Sequence, residues 1–200
     1  MNRLRIIPLD EMVVFPGMPV TLPVDVGSDA RVLLVPRRDN TYTNVGVVAD
    51  VSERVRLAGR GLAVSLMALH RATPGAAATD QDGVLRVDFE ARPDHAPATS
   101  LTRELEREYR AVVDEILELR GDDGRIRAFV RSITDAGALA DTAGYSPDLN
   151  FTQKLQLLET FDVVERLALA LQFQRERLAE LQVRKRIRDD VEDGAQKQQR

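Results

Sequence analysis

The stretch "MVVFPGMPVTLPV", Met12 to Val24, carries no charge and is rich in Val, Met, Phe and Leu, yet Pro16, Gly17, Pro19 and Pro23 interrupt it. Proline has no N–H to give to a strand ladder and fixes φ, so the Phe15–Pro19 segment must sit at a strand end or bulge rather than mid-sheet. Two fates are open to its side chains. Phe15, Met18 and Val20, with Met67 and Leu69, can form a shallow, partly exposed docking face, since exposed apolar patches mark binding surfaces and Met suits promiscuous contacts. Alternatively, the same side chains turn inward and close a β core.

On either side of this stretch the pattern is β. Short β-branched runs, "RLRIIPL", "VLLVP", "VGVVADV", "LAVSLMAL" and "VLRVDFEA", alternate with Gly, Asp, Asn and Pro. Leu85, Val87 and Phe89 alternate with Arg86, Asp88 and Glu90, the pattern of a strand with one wet face. "AGRGL" (Ala58–Leu62) and "TDQDGV" (Thr79–Val84) read as hairpin connections, because Gly accepts the positive φ of tight turns. "ATPGAAATDQDGV", Ala72 to Val84, reads as an Ala- and Gly-rich excursion.

The period changes after the Pro- and Ala-rich "RPDHAPATS" (Arg92–Ser100). Leu101, Leu105, Tyr109, Val112, Ile116 and Leu119 recur at helical steps, and Gly121 stands where a C-terminal cap belongs. A shorter helix carries Ile126, Phe129, Val130 and Ile133 on one face. Asn150 with Gln153, and Asp162 with Glu165, predict two further helix starts and a corner at Asp162. Beyond Leu181 the last helix keeps only Val183, Ile187 and Val191 among charges. That stripe is too thin for a globular core; it is either a solvated end or an arm that contacts another chain or a further domain. The expected fold class is α+β: a small, mostly antiparallel, barrel-like (PUA-like) β lobe over residues 1–96, then a helical bundle over 97–200 ending in one long helix.

Composition narrows the function. At 44% apolar and 30% charged residues the chain can bury a core, and its net charge of −4 disfavours nucleic acid or an anionic membrane as main partner. The absence of Cys excludes disulfides, thiolate metal sites and a Cys nucleophile. No apolar run approaches the roughly 18 residues of a spanning helix, and a cytoplasmic location is expected. His70 and His95 lie too far apart in sequence to signal a metal site or triad. "GRGLAV" has Val64 where a dinucleotide fingerprint needs its third Gly, and no phosphate-cradling Gly-x-x-x-x-Gly-Lys loop occurs. Neither a catalytic residue nor a cofactor or metal site is expected in this chain.

"LRIIPLDEMVVFPGMPVTLPVDVG" (Leu4–Gly27), "YTNVGVVADV" (Tyr42–Val51) and "KLQLLETFDVVERLALALQFQRERLAELQVRKRIRDDV" (Lys154–Val191) resemble the amino-terminal substrate-binding region of Lon, the ATP-dependent serine protease. The blocks occur in the family's order. "DVGSDARVLLVPRRDN" (Asp25–Asn40) departs from it, leaving room for at most one turn where the family usually has a helix. The resemblance implies a region that selects unfolded or damaged proteins and helps a homo-oligomeric, hexameric ring assemble, with ATP, Mg and the Ser-Lys protease chemistry supplied by modules outside these residues. Phe15, Met18, Val20, Met67 and Leu69 would then contact substrate, and Val183, Ile187 and Val191 would be arm contacts. A free-standing adaptor is the second reading. An RNA-binding module is the third, and the lack of a basic, aromatic stripe disfavours it.

Overall fold

The computed structural model describes residues 3–59, 61–95 and 98–198. Seven strands form one sheet: β1 (Arg3–Asp10), β2 (Pro19–Leu22), β3 (Arg31–Arg38), β4 (Thr41–Tyr42), β5 (Gly46–Leu57), β6 (Gly61–Thr79) and β7 (Leu85–Arg92). The ladder runs β1-β7-β6-β5-β3-β4, and β1 also pairs with β3, in parallel, so the sheet curls back on itself. The remaining pairings are antiparallel. The expected mostly antiparallel, barrel-like lobe is therefore present. Its interior packs Leu33, Val35, Val48, Ala72 and Val87, flanked by Leu4, Ile6, Leu69 and Phe89. β3 reads as an unbroken apolar run because Val32 to Val35 are all buried, leaving no wet face to alternate with.

The helices are α1 (Ser100–Arg120), α2 (Arg125–Ser132), α3 (Ala136–Asp141), α4 (Phe151–Glu159) and α5 (Val163–Gln198). Gly121 caps α1 in the left-handed conformation (φ 72°), as its position predicts. Asn150 and Gln153 form the predicted capping box on α4. α5 begins immediately after Asp162, at the expected corner.

Two compact units result, one made of residues 1–95 and 144–162, the other of residues 96–143 and 163–200. The division is not linear along the chain: α4 belongs with the sheet, not with the other helices. The predicted boundary between residues 96 and 97 lies outside the described residues. In the helical unit Tyr109 is fully buried; its hydroxyl meets Thr142 Oγ1 at 2.7 Å, and Gln174 Nε2 donates to it at 3.3 Å. Arg166 and Asp141, both buried, lie 3.5 Å apart.

Burial and pairing refine three of these readings. The Ala- and Gly-rich stretch is an extended hairpin: β6 continues to Thr79 and pairs with β7, and only Asp80–Gly83 turn. Gly75 allows this, since a Cβ there would press on the Asp88 carbonyl. On α2, Val130 is buried while Ile126 and Phe129 are half exposed, and Ile133 is the C-cap residue just beyond the helix. Leu101, at the first turn of α1, is exposed as well, and Thr102 takes the buried position.

Candidate functional site

The Pro-rich stretch resolves into a turn and a short strand. Met18 N–H donates to the Phe15 carbonyl at 3.1 Å, and Gly17 has φ 84°, the signature of a type II turn with Pro at its second position. The Ala68 carbonyl accepts from Gly17 N–H (2.8 Å), while Ala68 N–H donates to the Met18 carbonyl (3.0 Å). Two residues thus oppose one, a bulge at the point where the prolines forbid a regular ladder. β2 then pairs with β6: Pro19 faces Met67, Val20 Leu66, Thr21 Ser65 and Leu22 Val64.

This pairing sorts the five candidate contacts. Phe15 is wholly buried, which removes it from any docking face. Its ring packs on Gly144, where a Cβ would collide with it, and lies under the Arg71 guanidinium. Arg71, itself buried, donates from Nε to the Leu158 carbonyl (2.8 Å) and from Nη2 to the Leu157 carbonyl (3.2 Å), capping the last turn of α4. Tyr145 Oη donates to the Pro16 carbonyl at 3.3 Å. Leu69 packs against the core cluster, so it too is withdrawn. Val20 is half buried and shares its side of the sheet with buried Leu66. Met18 is half buried, and its Sδ accepts from Phe15 N–H at 3.3 Å, which turns the thioether onto its own turn. Met67 alone stands out, 39% exposed, beside exposed Pro19 on the outer side of the sheet. Sequence reasoning passed over Pro19 and Thr21. The spacing Pro19-x-Thr21-x-Pro23, a short strand closed by proline at both ends, was the signal available.

The outer face around Met67 carries carboxylates: Asp50 lies opposite it and Glu53 lies opposite Ser65 on β5. Asp50 is held by Arg31 at 2.8 Å. Elsewhere on this unit Arg5 and Arg86 grip Asp29 at 2.9 and 3.2 Å. Burial raises the Asp29 carboxyl, but the bonds from Arg86 and Arg5 outweigh it and hold its pKa below the ordinary value. Burial alone pushes Glu159 up. Among the described residues no cluster of His, Asp or Glu could hold a metal ion, and no helix is long and apolar enough to cross a membrane. In the other unit an open groove of about 820 Å³ between α1 and α5 is lined by Glu115, Glu118, Lys185, Arg188, Asp189 and Glu192, charges of both signs. Further along α5, Val183, Ile187 and Val191 are 58%, 59% and 66% exposed.

Residues 3–174 match the model of the ATP-dependent protease La (LON) substrate-binding domain. The chain belongs to this family. A Lon protease of Chloroflexus aurantiacus is 40% identical over 219 residues, covering all of this chain and 26% of its own length. One from Mycolicibacterium smegmatis is 36% identical over 203 residues, with 96% and 26% covered. The chain thus spans about a quarter of the length of these Lon relatives. Among solved structures, the N-terminal domain of Mycobacterium avium complex Lon protease superposes with a TM-score of 0.76 at 32% identity, over 87% of this chain and 98% of that one. A Lon N-terminal domain protein from Xanthomonas campestris shares the fold at 15% identity, TM-score 0.56, over 84% and 96%. Residues 23–30, between β2 and β3, contain no helix, in line with the short segment there.

Proposed function

We propose that this chain is the substrate-recognition and assembly region of an ATP-dependent, Lon-type serine protease. It captures apolar segments that unfolded or damaged cytoplasmic proteins expose, for delivery to ATPase and protease modules. The observation that carries the recognition half is Met67 beside Pro19: a flexible thioether and a proline, both solvent-facing, with the facing Asp50 paired to Arg31. Unfolded chains differ from folded ones chiefly in exposed apolar side chains, so a small, sequence-tolerant apolar face discriminates between them. ATP and Mg do not fit the residues present, which include no Gly-x-x-x-x-Gly-Lys loop, and would be bound outside this chain.

Assembly rests on the arm. Val183, Ile187 and Val191 are exposed on a helix that runs to Gln198, and the charges around them are segregated: Arg184, Lys185, Arg186 and Arg188 precede Asp189, Asp190, Glu192 and Asp193. A helix from another subunit of a hexameric ring, laid antiparallel, would meet opposite charge along this stretch. The full-length enzyme tests the recognition half: Met67→Asp should lower degradation of an unfolded protein several-fold and leave hydrolysis of a short peptide unchanged. Equal degradation of the unfolded protein by both forms would refute the assignment.

A further inference from the structure

We propose that the outer edge of β2 accepts one extended strand of an unfolded polypeptide, so that substrate is held by its main chain as well as by Met67. The proposal rests on the reading of this chain as a binder of unfolded protein and specifies how it binds. The alternation of the ladder fixes which backbone groups are available. The Met18 carbonyl points at β6, where it accepts from Ala68 N–H, so Val20 and Leu22 also direct their N–H and C=O toward β6. Pro19 and Thr21 then direct theirs away. The 3.2 Å approach of Thr21 Oγ1 to Ser65 Oγ fits this phase, since side chains come closer in pairs that do not exchange backbone bonds. Ser65 supports it from the far side: its carbonyl turns away from β2 and accepts from Ser52 on β5. Among the described residues no strand other than β6 pairs with β2, and both Pro19 and Thr21 are exposed.

The edge therefore offers the Thr21 N–H, the Thr21 carbonyl and the Pro19 carbonyl, and it ends at Pro23, which has no N–H. An antiparallel segment whose residue x lies opposite Thr21 donates its N–H to the Thr21 carbonyl and accepts from the Thr21 N–H. Its residue x+2 donates to the Pro19 carbonyl. That makes three bonds, none of which depends on the side chains of the incoming segment. A second copy of this chain is a poorer occupant. When Thr21 pairs with its counterpart, the Pro19 carbonyl faces the proline nitrogen of residue 23, and when Thr21 faces residue 19, that proline lacks the donor. Either register yields two bonds. The prolines thus limit edge-to-edge assembly, a known device at exposed strands, while leaving room for a chain with ordinary amides.

The test uses the 200-residue chain and reduced, carboxymethylated α-lactalbumin, which cannot fold. Single-residue amide exchange by NMR should show the Thr21 N–H exchanging quickly in the free protein and slowly with the probe bound. Thr21→Val, which keeps the N–H, should bind like the unsubstituted chain, and Thr21→Pro, which deletes it, should bind about tenfold more weakly. An unsubstituted chain that binds the probe with no change at the Thr21 amide overturns the proposal, as does unweakened binding by a folded Thr21→Pro. If Thr21→Pro fails to fold, the exchange measurement decides alone. Slow Thr21 exchange that depends on protein concentration without probe overturns it in favour of self-pairing. A chain that does not bind the probe at all overturns both this proposal and the recognition function beneath it.

Discussion

At the scale of single residues, Phe15 in the turn before β2 and Met67 on the strand that β2 pairs with show how differently two neighbouring apolar side chains are placed. Phe15 is enclosed by Gly144, Arg71 and the turn that follows it, so Phe15→Ala should cost about 3–5 kcal/mol through loss of transfer energy and the cavity left behind. Met67 is solvent-facing, and Met67→Asp, which faces Asp50 across the sheet, should cost only about 1 kcal/mol. Denaturant unfolding of both variants checks the contrast. Gly144→Ala should behave like Phe15→Ala, since its methyl would occupy the space of the ring. Arg71 is the residue whose role no local pattern announced: it sits in an apolar strand, and its partners are the carbonyls of Leu157 and Leu158, far away in sequence. Replacing it with Ala leaves a buried helix end without donors, at a cost of about 2–4 kcal/mol by the usual worth of charged hydrogen bonds. A measured loss below 1 kcal/mol for Arg71→Ala, on this same order-of-magnitude scale, would contradict its role as a cap.

At the scale of elements, the strands and helices with strong periodicity or explicit stop signals were legible from sequence alone. The Pro-Gly turn, the Gly121 cap and the Asn150–Gln153 box are set by groups within a few residues of each other, so local chemistry decides them. The far half of β6 was not legible, because Pro74–Ala78 has poor intrinsic strand propensity and is held extended by β7. α3 was missed for a similar reason: its six residues, Ala136–Asp141, are too few for a period to show. The exposed half of α2 was missed because an apolar pattern reports a face but not what covers it. One element-level link carries a pH dependence. Asp29 ties the segment before β3 to Arg5 on β1 and Arg86 on β7, and its pKa is lowered in the folded state. Its contribution is therefore fully present above the unfolded carboxyl value of about 3.9 and is lost as pH falls through the lower folded value. Asp29→Asn should melt earlier than the unsubstituted chain at pH 7, and the gap should close on acidification below about pH 4. A gap that stays constant down to acid pH would show that the network adds nothing through charge.

At the scale of the whole molecule, two units carry different surfaces: Met67 and the β2 edge are exposed on the sheet unit, and Val183, Ile187 and Val191 on the α5 of the helical unit. Burying each of Val183, Ile187 and Val191 is worth about 1.5–3 kcal/mol at most, which must also offset the cost of ordering and associating two helices. The 200-residue chain should accordingly sediment as a monomer at micromolar concentration, and arms should pair only where a ring raises their effective concentration. A stable hexamer of this chain, unaffected by Ile187→Asp, would rule out that role for the arm. The central claim, that the outer surface of β2 and β6 distinguishes unfolded from folded protein, is tested most directly by fluorescence anisotropy. Labelled reduced, carboxymethylated α-lactalbumin and the native protein would each be titrated with the unsubstituted chain and with Met67→Asp. The account predicts micromolar binding of the unfolded form only, weakened about tenfold by a Met67→Asp chain that is still fully folded at the assay temperature. Equal affinity for native and unfolded protein, or binding untouched by Met67→Asp, would contradict it.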